Sequence, residues 1–170
     1  NKAADTVRYI DECKEAGVEP KGVSWVEDEE PIPADEARAG DVVVVANWLD
    51  SGGQVDARWR GPHDERSQRL GYNRLTMLML AARSHEGLEL VQLLLERGAN
   101  VDLQDGSGMT ALHWSVYDSD GMPSDLVACR ASITRCLLRA GAQINLQDNC
   151  AFTPFVYAKG EFRAIMAEYV

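Results

Sequence analysis

Gly98-Ala99-Asn100-Val101-Asp102 is one of three copies of a single phrase, with Gly52-Gly53-Gln54-Val55-Asp56 before it and Gly141-Ala142-Gln143-Ile144-Asn145 after it. Each copy follows a segment whose apolar residues recur at spacings of three and four, the pattern of one buried helix face. These segments are Val44-Val45-x-x-Trp48-Leu49, Leu90-Val91-x-Leu93-Leu94-Leu95 and Ile133-x-x-Cys136-Leu137-Leu138. The glycine closes the helix, because the residue just past a helix end commonly takes the left-handed conformation. A second phrase recurs one step later: Thr76-Met77-Leu78-Met79-Leu80-Ala81-Ala82, Thr110-Ala111-Leu112-His113-Trp114-Ser115-Val116 and Thr153-Pro154-Phe155-Val156-Tyr157-Ala158. It reads as a short helix opened by a threonine cap, with small residues on one side that let a partner helix approach. Turn-rich Asp105-Gly106-Ser107-Gly108 and Asp148-Asn149-Cys150-Ala151 lie between the phrases. The unit is therefore turn, short helix, longer helix, glycine.

On these residues the sequence resembles the ankyrin-repeat family, whose unit of about 33 residues has a β-turn, two helices and the phrase T-P-L-H-x-A. Thr153-Pro154-Phe155 and Thr110-Ala111-Leu112-His113 match the first-helix motif, and Leu93-Leu94-Leu95 and Cys136-Leu137-Leu138 the second-helix motif. The resemblance covers residues 34–170 and implies an all-α ankyrin-repeat solenoid of about four units, near 34–58, 75–104, 105–147 and 148–170. The first unit lacks the Thr-Pro-Leu-His phrase and the last lacks the Gly-Ala exit loop. Both are expected to be degenerate caps, since a stack needs polar outer faces where it stops.

Successive glycines Gly52, Gly98 and Gly141 are 46 and 43 residues apart, longer than the family period, so two insertions are expected. One is near 59–74, where the family places its β-hairpin finger. The other, near 118–131, falls between the two helices of one unit. Residues 1–33 match no unit. Ala3, Val7, Ile10 and Cys13 predict a helix near 5–16, Val23 to Val26 reads as extended, and 27–33 is an acidic linker with two prolines. This segment is expected to cap the first repeat, with Trp25 against it.

Composition narrows the function. A chain of 170 residues that is 45% apolar and 26% charged is that of a folded domain or a short stack of repeats. Seventeen Lys and Arg against 27 Asp and Glu leave a net charge of −10, which argues against nucleic acid or an anionic membrane as the main partner. No apolar run approaches the roughly 20 residues that span a bilayer, so the sequence reads as a soluble chain. A partner could still link it to a membrane complex. Cys13, Cys129, Cys136 and Cys150 are irregularly spaced, with no CxxC pair and no glycosylation acceptor, which fits a reducing, intracellular compartment, cytoplasmic by default. The first residue, Asn1, leaves open an organellar location after removal of a leader.

No catalytic, cofactor or metal constellation emerges. His63 and His85 stand alone, while His113 occupies the motif position where the resemblance implies a structural hydrogen bond between neighbouring turns. Gly106-Ser107-Gly108 lacks the spacing of a nucleophile elbow or a phosphate loop, and Glu27-Asp28-Glu29-Glu30 has no Gly-kinked ligand loop after it.

The resemblance implies instead a non-catalytic module that binds a protein partner through its turn tips and first helices. The family's contact positions fall on Leu75, Arg83, Ser84, Ser107, Met109, Tyr117, Asp118, Asn149, Cys150 and Phe152. Arg58, Arg60, Arg66, Arg69 and Arg74 give residues 58–74 a net charge of +3, against −6 for residues 27–36. They are expected to form an electrostatic finger for a protein surface or for that acidic run. The rival readings are a fixed scaffold subunit that docks through its insertions, and a regulatory repeat attached to an enzyme.

Overall fold

A computed structural model describes residues 32–59, 74–117 and 123–169. The expected N-terminal helix, the linker up to Pro31, Arg60, Arg66, Arg69 and Asp118 lie outside these residues. Among the described residues the helices come in pairs: α1 (Ala34–Ala39) with α2 (Val42–Asp50), α3 (Met77–Ala82) with α4 (Leu88–Glu96), α5 (Ala111–Val116) with α6 (Ser124–Arg139), and α7 (Pro154–Tyr157) with α8 (Gly160–Ala167). First helices pack in the series α1, α3, α5, α7 and second helices in the series α2, α4, α6, α8, two rows of an all-α solenoid. Between α2 and α3 a two-residue antiparallel hairpin, β1 (Arg58–Trp59) and β2 (Leu75–Thr76), forms the base of the first insertion.

The repeated phrases are the joints of this stack. Gly52, Gly98 and Gly141 take φ values of 109°, 84° and 89°, and the N–H of the next residue reaches back to the carbonyl of Trp48, Leu94 and Leu137 respectively. Thr76 and Thr110 cap α3 and α5, accepting the N–H of Met79 and His113. Thr153 makes no side-chain cap bond, and Pro154 opens α7 instead.

The joints are also linked to one another. Asn100 N–H donates to Asp56 Oδ1 (3.0 Å), and Gln143 N–H donates to Asp102 Oδ1 (2.9 Å). Two residues further on, Arg58 Nη1 donates to the carbonyl of Gln104, and Gln104 Nε2 to that of Gln147, both at 2.8 Å. Arg58 also donates to the Arg74 carbonyl at the hairpin base (3.1 Å). This corrects the expectation for Arg58: it is a half-buried rung of the ladder, not a charge on an exposed finger. Arg74 is exposed and takes φ 62° at the position of Gly108 and Ala151. Only Gly108 needs to be glycine for space, since a Cβ there would stand 2.8 Å from the Asn149 backbone nitrogen of the next turn.

The second insertion differs in form from a loop between helices. Residues 124–131 are the first half of α6, which has 16 residues where α2 and α4 have nine. The extra turns carry Arg130 into the interior, where it is 3% exposed. Its guanidinium donates to the carbonyls of Trp114, Ser115 (3.0 Å) and Tyr117 (2.9 Å), closing the C-terminal end of α5. Those carbonyls have no acceptor role left within a helix that ends at Val116, so the cation supplies what the backbone cannot.

One joint is built differently from the rest. Trp48 stands where Leu94 and Leu137 stand in the next two pairs, and Gly53 stands where they have Ala99 and Ala142. A Cβ on Gly53 would lie 2.4 Å from the Trp48 ring, so the large side chain requires the missing one. The Trp48 indole N–H is also buried without a hydrogen-bond partner among the described residues. Gly53→Ala is therefore expected to destabilise by about 1–3 kcal/mol through overpacking. Adding Trp48→Leu should recover much of that loss by rebuilding the Leu–Ala pair. Thermal melts of the two single variants and the double variant check this, and additive losses would contradict it.

Candidate partner-binding face

The turn before each of the last two short helices, α5 and α7, is organised by one aspartate. Asp105 Oδ1 accepts the N–H of Ser107 (2.8 Å) and Met109 (2.9 Å) and the Ser107 hydroxyl (2.6 Å), while Oδ2 accepts the Trp114 indole N–H (2.9 Å). Asp148 repeats the arrangement one pair later. Its Oδ1 accepts the N–H of Cys150 and Phe152, and Oδ2 accepts the Tyr157 hydroxyl at 2.5 Å. Each carboxylate thus ties a turn tip to the aromatic ring nine residues on. Burial opposes ionisation of Asp148, but the Tyr157 hydroxyl, the two backbone N–H groups and the nearby His113 outweigh it and hold the carboxyl below its ordinary value. Burial and the same carboxylate push the Tyr157 hydroxyl well above its usual range, so it stays a neutral donor.

His113 joins the two turns. Its Nδ1 accepts the Thr110 N–H (3.1 Å), which leaves the ring proton on Nε2 to donate to the Phe152 carbonyl (3.2 Å). With both nitrogens engaged and the ring fully buried, neither is placed for proton transfer to a substrate. Burial lowers its pKa below 6.5, partly offset by the Phe152 bond and by Asp148 and Asp105. The unfolded chain therefore binds the second proton more readily than the stack does. Stability from this residue is complete above about pH 6.5 and is lost as the pH falls through the lower folded value. Denaturant midpoints should drop from about pH 7 to about pH 5, and His113→Gln should flatten that slope.

The aromatic rings form a row across the last two pairs. Trp114 and Tyr117 have centroids 5.5 Å apart, Tyr117 and Tyr157 5.6 Å, and Tyr157 and Phe152 5.9 Å. The Arg83 guanidinium lies 5.3 Å from the Trp114 centroid at the other end. Arg83 and Phe152 are exposed, Tyr117 and Tyr157 half-buried and Trp114 buried. The row brings together Arg83, Tyr117 and Phe152 from among the expected contacts. Trp114 and Tyr157 were missed, although their spacing from Asp105 and Asp148 is visible in the sequence.

Other expected contacts are placed differently. Leu75, Ser84 and Met109 are buried, at 4%, 5% and 6% exposure, and cannot present their side chains to a partner. Leu75 lies in β2 opposite Trp59 and seals the hairpin base, Ser84 Oγ accepts the Glu86 N–H in the loop before α4, and Met109 belongs to the apolar core. Ser107 is half-buried, with its hydroxyl committed to Asp105. Asn149 is exposed and bridges the turns, its N–H on the Ser107 carbonyl and its Nδ2 on that of Gly106. Cys150 is exposed, and Cys129, Cys136 and Cys150 form no disulfide among the described residues. No described group of three or more His, Cys, Asp or Glu side chains could hold a metal ion.

Models of the ankyrin repeat match residues 78–121 and 107–149, the stretch that carries the Thr110 cap, the Asp105 turn and two of the glycine joints. The chain carries ankyrin repeats. It is 39% identical over 82 residues to the 2-5A-dependent ribonuclease of Homo sapiens, covering 48% of this chain and 10% of that protein. It is 32% identical over 88 residues to an ankyrin repeat protein of Acanthamoeba polyphaga mimivirus, covering 50% of this chain and 11% of that protein. The matches thus span about a tenth of each relative's length. Ankyrin repeats are in general protein–protein interaction modules and typically non-catalytic. No described helix of this ankyrin stack is long and apolar enough to cross a membrane.

Proposed function

We propose that the chain is a non-catalytic module that binds a protein partner through the Arg83–Trp114–Tyr117–Tyr157–Phe152 row and the adjoining turn tips. The observation that carries this reading is the continuity of the row across three helix pairs, with ring spacings of 5.5–5.9 Å. Rigid rings supply contact area at low entropic cost, and Tyr, Trp and Arg dominate binding hot spots. Ser107, Asn149 and Cys150 belong to the rim, and the net charge of −10 favours a protein over a nucleic acid. An intracellular location fits a chain whose described cysteines are unpaired.

The test starts from crosslinking and copurification of the native protein to find a stoichiometric neighbour. Arg83→Ala with Tyr117→Ala should then weaken that neighbour's binding by about 2 kcal/mol or more, roughly 30-fold, with circular dichroism showing the variant still folded. Unchanged affinity with the fold intact would reject the surface. A second reading, a fixed subunit docked through its insertions, is favoured by the anchoring of the hairpin base. There Arg58 is bonded to two carbonyls and Arg38 lies 4.9 Å from the Trp59 centroid. Crosslinks concentrated on residues 60–73 would support that reading over the first.

A further inference from the structure

Three rings of the aromatic row reach solvent: Tyr117, Tyr157 and Phe152. Tyr157 touches both neighbours, with centroids at 5.6 Å and 5.9 Å, while Tyr117 and Phe152 make no ring contact with each other among the described residues. The rings are therefore strung out and not clustered. Their planes meet at 58° and 88°, which leaves a notch between each consecutive pair. A cage for a quaternary ammonium needs open space between ring faces, and rings in direct contact leave none.

Each ring is held in place before any ligand arrives. Tyr157 is fixed through its hydroxyl by Asp148, Tyr117 through its carbonyl by Arg130, and Phe152 through its N–H by Asp148 and its carbonyl by His113. Such preorganisation lowers the cost of binding. The Tyr117 hydroxyl makes no hydrogen bond among the described residues, so it is a donor for a ligand carbonyl. Charge is absent from the adjoining turn tips: Gly106, Ser107, Asn149, Cys150 and Ala151 are uncharged, and Asp105 and Asp148 are buried. The complement of this face is an uncharged segment, although the chain as a whole carries −10.

We propose that the occupant of this face is an uncharged Pro-x-Pro segment of the partner in the polyproline II conformation, a reading that rests on the row being the binding surface. A polyproline II helix has three residues per turn and rises about 3.1 Å per residue, so residues i and i+2 stand about 6.2 Å apart and share one side while i+1 points away. That step matches the 5.6 Å and 5.9 Å between rings, and two prolines enter the two notches. Residues i and i+3, about 9.3 Å apart, overshoot them. An extended β-strand spaces its same-side residues about 6.6–6.8 Å apart and brings N–H groups that need acceptors, whereas the row offers a hydroxyl donor. Prolines lack that N–H, and the unpaired carbonyls of the helix suit the Tyr117 hydroxyl. Aromatic-lined surfaces bind proline-rich segments in this manner because the ligand is already ordered.

Fluorescence anisotropy with the full chain and three labelled peptides tests this. One peptide carries Pro-Ala-Pro, the second Pro-Ala-Ala-Pro and the third Val-Ala-Val, each within the same alanine–serine flanks. The expected result is that the first binds about tenfold tighter than either of the others, which is about 1.4 kcal/mol. Tyr117→Phe should weaken it roughly threefold to tenfold, the loss of one hydrogen bond with the ring retained. Phe152→Ala, at an exposed position, should weaken it while circular dichroism shows the fold intact. Equal affinity for the first two peptides, a preference for the valine peptide, or no binding at all would overturn the proposal. If in that event Arg83→Ala with Tyr117→Ala still weakens binding of the native neighbour, the face stands and only its occupant is wrong. If that variant also leaves the neighbour bound, the face fails with it.

Discussion

Arg130→Met is expected to lower the unfolding free energy by about 3 kcal/mol, although it replaces a charged side chain with an apolar one of similar length. The loss comes from the acceptors left behind. The carbonyls of Trp114, Ser115 and Tyr117 all receive the guanidinium, at the end of a six-residue helix too short to satisfy its own last turn. Each buried carbonyl deprived of its donor costs about 1–3 kcal/mol, partly relieved by shedding the desolvation cost of the cation. Arg130→Lys should fall between, because an ammonium cannot span three carbonyls as a planar fork does. Urea denaturation of the three proteins checks the order, and a methionine variant as stable as the parent would mean that these carbonyls find other donors.

Leu94→Ala and Leu137→Ala should each cost about 2–5 kcal/mol. Both side chains are fully buried at the same position of α4 and α6, and each precedes a glycine joint whose following N–H returns to that leucine's own carbonyl. Truncation leaves a cavity between neighbouring second helices, which rigid helix rows fill only in part. Thermal melts read the loss. If neither variant melts earlier, these positions are not the contact between pairs.

The helix pairs were legible because the repeated phrases encode backbone requirements. Glycine stands where φ is positive at Gly52, Gly98 and Gly141, and threonine stands where a helix must be capped at Thr76 and Thr110. Burial at the residue before each threonine was not legible. Leu75 and Met109 are covered and Phe152 is not, a difference made by the neighbouring pair and invisible within the phrase itself. Arg130 reads as a solvated charge until α6 is seen to run back along α5. Arg58 looks like one member of a basic cluster, and only its register with Gln104 and Gln147 reveals a rung. The aspartate–aromatic pairs were in reach, since Asp105 to Trp114 and Asp148 to Tyr157 share one spacing, but the α3 pair has Gly71 at the aspartate position and so breaks the series.

Because each pair touches chiefly its neighbours, the chain is a one-dimensional array whose ends open without the middle. Amide hydrogen exchange should be fastest in α7 and α8 and slowest in α3 to α5. Tyr117 sits on the protected side of that gradient, while Tyr157 and Phe152 sit on the side that opens first. A ligand gripping all three must hold α7 and α8 closed against α5 and α6, so its residence time will depend on the opening of that contact as well as on its own contacts. Binding in turn slows the exchange of α7 and α8 in proportion to ligand concentration.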